Sequence, residues 1–113
     1  MADRSSFTAP WIGSRWGIDP ILLDVRRRAG EVVAMREPGS AEWRYPGWQF
    51  DDEGNVRPEV AHVLAAAREA GVRPERVAEI LNRRAGLAGG RTLLDVLLEG
   101  NDRAVIDALR SAA

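Results

Sequence analysis

Glycine and proline residues divide this chain into short segments. The 113 residues include eleven glycines and six prolines, spread along the whole sequence. Glycine weakens helices and strands through its backbone freedom, and proline removes a backbone donor, so both tend to mark the ends of regular elements. Their spacing therefore predicts a fold built from brief helices and strands joined by tight turns.

Two short helices are predicted before residue 30. Thr8 is a suitable N-cap for a helix that ends at Trp16, and Asp19 precedes a second helix from Pro20 to about Ala29. The inward face of the second helix is expected to comprise Leu22, Val25 and Ala29, flanked by Ile21. Its outward face is expected to comprise Asp24, Arg27 and Arg28, with Leu23 beside them. Two short helices joined by a tight turn are typical of a helix-turn-helix.

A β-hairpin is predicted next, with strands at residues 31–36 and 41–45 and a type II turn at Pro38-Gly39. Four of the seven aromatic residues of the chain fall within eight positions: Trp43, Tyr45, Trp48 and Phe50. A two-stranded hairpin is not stable alone in water, so we interpret these rings as core residues that pack the hairpin against both halves of the protein. A base-stacking platform would need an exposed basic groove instead.

The rest of the chain is predicted to be helical, after a polar turn at residues 51–54. Short helices follow Arg57, Arg73, Thr92 and Asn101. Apolar residues recur there at helical spacing: Val60, Val63, Leu64 and Ala67, then Val77, Ile80 and Leu81, then Val105, Ala108 and Leu109. We predict a mainly α fold of the α+β class, in which a short helix-turn-helix with a β-hairpin wing packs on a C-terminal bundle of four short helices. Residues 1–50 are assigned to DNA binding and residues 51–113 to a helical domain.

Composition narrows the classes of partner. The formal net charge is −1, so bulk attraction to nucleic acid or membrane is not expected, and any DNA contact depends on where arginines are placed. All sixteen basic residues are Arg, a pattern that fits bidentate contacts or simply a GC-rich genome. The chain has no Cys, no apolar run near membrane-spanning length and no leader-like start. We expect a cytoplasmic protein with no membrane partner.

The sequence offers little for catalysis. His62 is the only histidine, and it lies off the apolar stripe of its predicted helix, so we expect it at the surface. The run Asp51-Asp52-Glu53 lacks the ligand spacing of a calcium loop. The loop Gly86–Thr92 has arginine where a phosphate-binding loop needs lysine, and no strand precedes it. We therefore predict neither an enzyme nor a metal site, and no cofactor.

Several motifs stand together in residues 11–46: Gly17-Ile18-Asp19 between two helices, Gly30 after the second, Val32-x-Ala34-x-Arg36 in a strand, and Arg44-Tyr45-Pro46. With these motifs the segment resembles the short helix-turn-helix and hairpin module of MerR- and excisionase-type DNA-binding proteins. The resemblance implies that the second helix enters the major groove while nearby arginines neutralise phosphates. The DNA-binding residues it implies are Arg15, Asp24, Arg27, Arg28, Arg36 and Arg44.

Gly-Gly-Arg-Thr followed by Leu-Leu-Asp-x-Leu-Leu-x-Gly at residues 89–100 is the most specific motif of the C-terminal half. From about Tyr45 onward the chain is similar to antitoxins with an Xre/MbcA/ParS-type toxin-binding domain. That resemblance implies an antitoxin that neutralises a cognate, NAD-consuming RES-type toxin and binds its own operator. We also expect the protein to be a homodimer. The toxin-binding residues it implies are Gly89, Gly90, Arg91, Thr92, Asp95, Asp107, Arg110 and Ser111, within the loop and the C-terminal end to Ala113.

Two other interpretations stay open. In one, the protein is a stand-alone DNA-binding regulator whose helical half dimerises, which predicts a two-fold symmetric C-terminal surface. In the other, it is a protein-interaction module with a degenerate helix-turn-helix. The net charge of −1 mildly favours the protein-interaction module. Binding to duplex DNA at low salt would distinguish the two interpretations.

Overall fold

The computed structural model describes residues 6–36, 38–83 and 90–112, and it has the predicted α+β class. The helices, in chain order, are α1 (Ala9–Trp16), α2 (Pro20–Arg28), α3 (Pro58–Ala70), α4 (Pro74–Leu81), α5 (Leu93–Leu98) and α6 (Asp102–Ala112). The strands are β1 (Ser6–Thr8), β2 (Met35–Arg36) and β3 (Trp43–Pro46), and a 3-10 turn spans Gly47–Gln49. The predicted bundle of four C-terminal helices is confirmed. The break predicted at residues 86–90 lies mostly outside the described residues.

The strands form an antiparallel sheet in the order β1-β3-β2. The predicted hairpin of β2 and β3 is confirmed, but its first strand is shorter than expected. In the observed register, Arg36 lies opposite Trp43. Residues 32–34 are not part of the strand, because the backbone N–H and carbonyl of Val33 form hydrogen bonds with the side chain of Gln49 instead. Strand β1 was not predicted. It has only three residues, too few for an alternating pattern, and it pairs with a strand far along the chain.

The predicted helix caps are confirmed. Thr8 Oγ1 accepts from the backbone N–H of Trp11 at 3.4 Å, and Asp19 Oδ1 accepts from that of Ile21 at 2.8 Å. Thr92 and Asp95 form a full capping box at the start of α5. Each cap satisfies backbone donors that a helix start leaves free, which is why these residues fix the boundaries.

The predicted orientation of α2 is wrong. Leu23 is the buried residue of the helix, with 1% of its surface exposed, and it packs with Ile12 of α1. Ile21 is 74% exposed, Val25 56% and Leu22 45%. Four apolar residues in five positions leave the phase of a helix undetermined, and here the phase is set by Leu23 and by Arg27, four residues further on. The face predicted to point inward therefore points outward.

Two hydrophobic clusters make up the core. The N-terminal cluster comprises Ile12, Leu23, Val32, Ala34, Tyr45 and Phe50. The helical cluster comprises Val60, Val63, Leu64, Ala67, Val77, Ala78, Ile80, Leu81, Leu94, Leu97, Val105 and Leu109, together with Val33 and Trp48. The buried residues predicted for α3 and α4 all belong to it.

The aromatic cluster at residues 43–50 joins the two halves, as predicted. Tyr45 and Phe50 are buried in the N-terminal cluster, whereas Trp48, between them in the chain, is buried in the helical cluster. Trp43 is half-buried and packs against the N-terminal cluster. Rings of this size bury large apolar areas, so the placement of Trp48 in one cluster and of its neighbours Tyr45 and Phe50 in the other stabilises the joint.

No helix in the described part of the chain is long and apolar enough to cross a membrane.

Candidate nucleic-acid interface

The outward face of α2 is the main exposed apolar feature of the N-terminal half. It comprises Ile21, Leu22, Val25, Arg28 and Ala29, all exposed. Ile21 and Val25 are one helical turn apart, so their side chains are neighbours on the surface. Arg28 follows them on the same face, in the last turn of the helix, where a cation is favoured by the helix dipole.

A compact group of charged and aromatic side chains lies between α2 and the hairpin. We call it the Trp43 junction, and it comprises Asp24 and Arg27 of α2, Arg36 of β2, and Trp43 and Tyr45 of β3. The Arg27 guanidinium carbon lies 4.0 Å from the ring centroid of Trp43, and that of Arg36 lies 4.9 Å from the same ring. Both distances are within the range of a cation–π interaction. The junction therefore attaches α2 to both strands of the hairpin through one indole ring.

Asp24 balances the charge of the junction. Its carboxylate pairs with Arg27 and, at 3.0 Å, with the Nε of Arg28. The hydrogen bond from Arg27 lowers the pKa of Asp24, against a smaller effect of desolvation. Burial raises the pKa of the nearby Tyr45 hydroxyl. The Nε of Arg27 is buried and has no acceptor among the described residues.

The structure brings together only some of the predicted DNA-binding residues. The Trp43 junction contains Asp24, Arg27 and Arg36, and Arg28 pairs with Asp24 beside it. Arg27 is held inward, with 16% of its side chain exposed. Arg44 is next to Trp43 in β3, so it lies on the opposite face of the sheet, opposite Met35 and 4.0 Å from a carboxylate oxygen of Glu42. Arg15 is exposed on α1, away from the hairpin contact.

Arg15 instead borders a groove of about 500 Å³ between the N-terminal elements and α5. Its walls include the rings of Phe7, Trp11 and Trp16, with Arg57 on the far side. Phe7 and Trp11 are stacked with centroids 4.1 Å apart, and the indole N–H of Trp16 donates to the backbone carbonyl of Asp52 at 3.0 Å. Phe7, Trp11 and Trp16 contact one another, and Trp16 also contacts the backbone at Asp52.

The predicted toxin-binding residues lie at α5 and α6. Gly89 and Ala113 lie outside the described residues. Thr92 and Asp95 are engaged in the capping box, and Arg91 pairs with Glu99 at the other end of α5. Asp107, Arg110 and Ser111 are exposed on the last turns of α6, where Ser111 Oγ donates to the backbone carbonyl of Asp107 at 3.1 Å.

Other acidic and histidine side chains have structural contacts. His62 is at the surface, as predicted, and its Nδ1 lies 2.9 Å from Asp102 Oδ2, which connects α3 to α6. That hydrogen bond is the main reason why the pKa of Asp102 is lowered. Asp51 Oδ1 accepts from the backbone N–H groups of Glu53 and Asn55, which closes the predicted polar turn. Within residues 6–36, 38–83 and 90–112, no group of three or more His, Cys, Asp or Glu side chains is arranged to hold a metal ion.

Sequence reasoning missed the exposed apolar face of α2 and the role of Trp43. The exposed face of α2 could have been recognised from the sequence, because Arg27 follows Leu23 by four residues and a long side chain can lie along an inward face. The role of Trp43 could not, since the contact depends on the angle between α2 and the hairpin.

Comparison with known proteins identifies the fold. The NMR structure of Rv2175c matches this chain with a TM-score of 0.76 and 20% sequence identity, covering 98% of this chain and 82% of that chain. At this level of identity the likeness shows a shared fold. No protein-family model matches the sequence, and no match is found among curated proteins.

Proposed function

We propose that this protein binds double-stranded DNA, with the outward face of α2 in the major groove and the β2–β3 hairpin beside it. The observation that carries the proposal is the exposure of Ile21, Leu22, Val25 and Arg28 on a helix held by the hairpin. The short turn between α1 and α2 and the position of the hairpin fit a helix-turn-helix with a wing. Such a role entails a cytoplasmic location.

The dimensions support this docking. A helix of nine residues is about 13.5 Å long, and the major groove is about 12 Å wide and admits one helix. Because Leu23 is the buried residue of α2, most of the helix surface stands clear of the core. Two features fix how α2 follows α1. Asp19 caps α2, and the backbone of Gly13 approaches the Ile18 carbonyl so closely that an added Cβ would lie 3.1 Å from its oxygen.

The charges of the N-terminal half support a small number of contacts to DNA phosphates. Residues 1–50 contain seven arginines and six acidic residues, so attraction to DNA depends on local placement. Asp24 is already paired with Arg27 and Arg28, and Arg36 is held against Trp43. With two or three phosphate contacts per protomer, the logarithm of the binding constant falls with the logarithm of salt concentration with a slope near −2 to −3.

The test begins with selection of bound duplexes from a random library at low salt. Fluorescence anisotropy then compares the wild type with Arg28→Gln, Arg36→Gln and, as the matched control, Arg103→Gln on the exposed surface of α6. We expect the first two variants to bind several-fold more weakly and each to flatten the salt slope by about 1. The control is expected to bind as the wild type does.

Absence of enrichment and of binding at low salt would refute the proposal. Equal losses of affinity in Arg28→Gln and Arg103→Gln would also contradict it, because they would show that binding depends on overall charge and not on a defined surface.

Antitoxin activity stays a prediction from the resemblance of residues 45–113, as do the RES-type toxin partner and the homodimer. Exposure of Arg91, Asp107, Arg110 and Ser111 leaves these side chains accessible to a partner. The test is co-expression with the product of the adjacent gene. A neighbour that is toxic alone, is rescued by this protein and is retained on it supports the prediction; a harmless neighbour that does not bind refutes it.

A further inference from the structure

We infer that the outward face of α2 reads the 5-methyl groups of thymines in the major groove, so that preferred DNA sites carry thymine where Ile21, Leu22 and Val25 make contact. This inference rests on the proposed DNA binding and specifies what the same surface recognises. It starts from the unusual exposure of these side chains. Among the described residues, five large apolar side chains are exposed, and three of them lie on this one helix face.

The chemistry of the face decides which base edge it fits. Its members are apolar, apart from Arg28, so it offers few hydrogen-bond partners to the edges of guanine, cytosine or adenine. Among the polar side chains of α2, Asp24 pairs with Arg27 and Arg28, and Arg27 also stacks on Trp43. Arg26 lines a separate groove together with Leu64 and Arg68 of α3. In the major groove, the thymine methyl is the apolar feature of a base edge.

The charge around the face favours DNA over a protein partner. On α2, the carboxylate of Asp24 is paired with Arg27 and Arg28, and that of Asp19 caps the helix. Arg26 and Arg28 follow the apolar residues on the same helix, and Arg36 lies across the junction. An apolar strip bordered by guanidinium groups suits a groove whose floor bears methyl groups and whose walls are phosphates.

Spacing along the helix limits where the thymines lie. Ile21 and Val25 are four residues apart, or about 6 Å along the helix axis. Successive base pairs are separated by about 3.4 Å, so two such side chains reach bases one or two steps apart. The expected site therefore has two or three thymines within a few neighbouring base pairs.

The experiment uses the full chain and the best duplex from the selection described above. Each thymine is replaced in turn by uracil, which removes the methyl group and leaves the pairing edge unchanged. Loss of one buried methyl contact weakens binding about fourfold. We expect that loss at two or three clustered positions, and no change for uracil placed outside the selected site.

Variants then assign the methyl groups to side chains. Ile21→Ser and Val25→Ser are chosen because these residues are exposed and serine has a similar helix propensity, so the fold is retained, as circular dichroism checks. In each variant the ratio of affinities for thymine and uracil is expected to fall to about 1 at one position and to persist at the others. Arg28→Gln keeps every ratio while lowering affinity.

Tight binding with equal affinity for thymine and uracil everywhere would overturn this inference and leave DNA binding intact. Failure to bind any duplex would overturn both. If Ile21→Ser and Val25→Ser instead dissociate a dimer in sedimentation without altering the thymine-to-uracil ratio, the face binds a second copy of the chain and the inference is wrong.

Discussion

Gln49 is a fully buried amide that holds together two segments far apart in the sequence. Its Oε1 accepts from the backbone N–H of Val33 at 2.8 Å, and its Nε2 donates to the carbonyls of Val33 and Pro46 at 2.9 and 3.0 Å. Buried backbone groups need partners, and Gln49 provides them where no strand pairs with Val33. Nothing in the sequence marks it out, because glutamine is usually a surface residue.

Gln49→Leu keeps the approximate size of the side chain and removes all three hydrogen bonds. We expect the free energy of unfolding to fall by about 3 kcal/mol or more, because both backbone groups of Val33 lose their partner while staying buried. Chemical denaturation measures the change. Asn82→Ala, at an exposed amide at the end of α4, serves as control and is expected to change stability by about 0.5 kcal/mol or less. Similar values for the two variants would show that the Gln49 hydrogen bonds contribute little.

Gly54 combines a left-handed backbone with a close contact. Its φ is +83°, and a Cβ there would lie 2.5 Å from Cγ of Trp16. Gly54→Ala is expected to lower stability by about 2–5 kcal/mol, the sum of backbone strain and overpacking. Gly71→Ala is the matched control, since φ is +75° but no atom lies within 4 Å of the added Cβ, and about 1–2 kcal/mol is expected. Equal losses in thermal unfolding would contradict the close packing of Trp16 on this turn.

At the scale of elements, the helix boundaries are predictable and the orientation of α2 is not. Thr8, Asp19 and the Thr92–Asp95 pair act on backbone groups within a few residues of themselves, so the sequence is sufficient to locate them. Which face of α2 turns inward depends on α1 and the hairpin, and the local pattern of apolar residues fits more than one answer. For α3 the apolar residues occupy a single stripe, and there the prediction is confirmed.

Trp43 contacts Arg27 of α2 and Arg36 of β2, so its replacement tests whether the helix and the hairpin act together. Trp43→Leu is expected to lower stability by about 1–2 kcal/mol through loss of the ring contacts with Arg27 and Arg36. It is also expected to weaken binding of the selected duplex several-fold, because the hairpin is no longer held beside α2. Trp43→Phe retains a ring and serves as control, with a smaller effect on both quantities. Wild-type affinity in Trp43→Leu, measured by anisotropy, would show that the junction is only structural.

At the scale of the whole molecule, the fold depends on a few residues that connect the two clusters. Val33 and Trp48 come from the first 50 residues but are buried among the C-terminal helices, and Trp16 contacts both Phe50 and the turn at Asp52. Such a joint was predictable, because four of the seven aromatic residues of the chain lie in one short segment between the two halves. The pairing of β1 with β3 was not predictable, because it needs two segments to meet that are separated in the sequence by α1, α2 and β2.

The same distinction applies to the candidate interface. Of its arginines, Arg28 and Arg36 are among the DNA-binding residues that the resemblance implied from the sequence. The inward position of Arg27, the location of Arg44 on the opposite face of the sheet and the exposed apolar residues all depend on packing between elements. The antitoxin prediction concerns α5 and α6, at residues whose described contacts are mainly local.

Amide chemical-shift mapping of the labelled full chain, titrated with the selected duplex, is the most direct test of DNA binding through α2. We expect the largest changes in α2 and in β2–β3, with residues 21–28 changing most, and no changes in α4 and α6. Changes centred on α5 and α6, or no changes at a DNA concentration that saturates a genuine site, would contradict it.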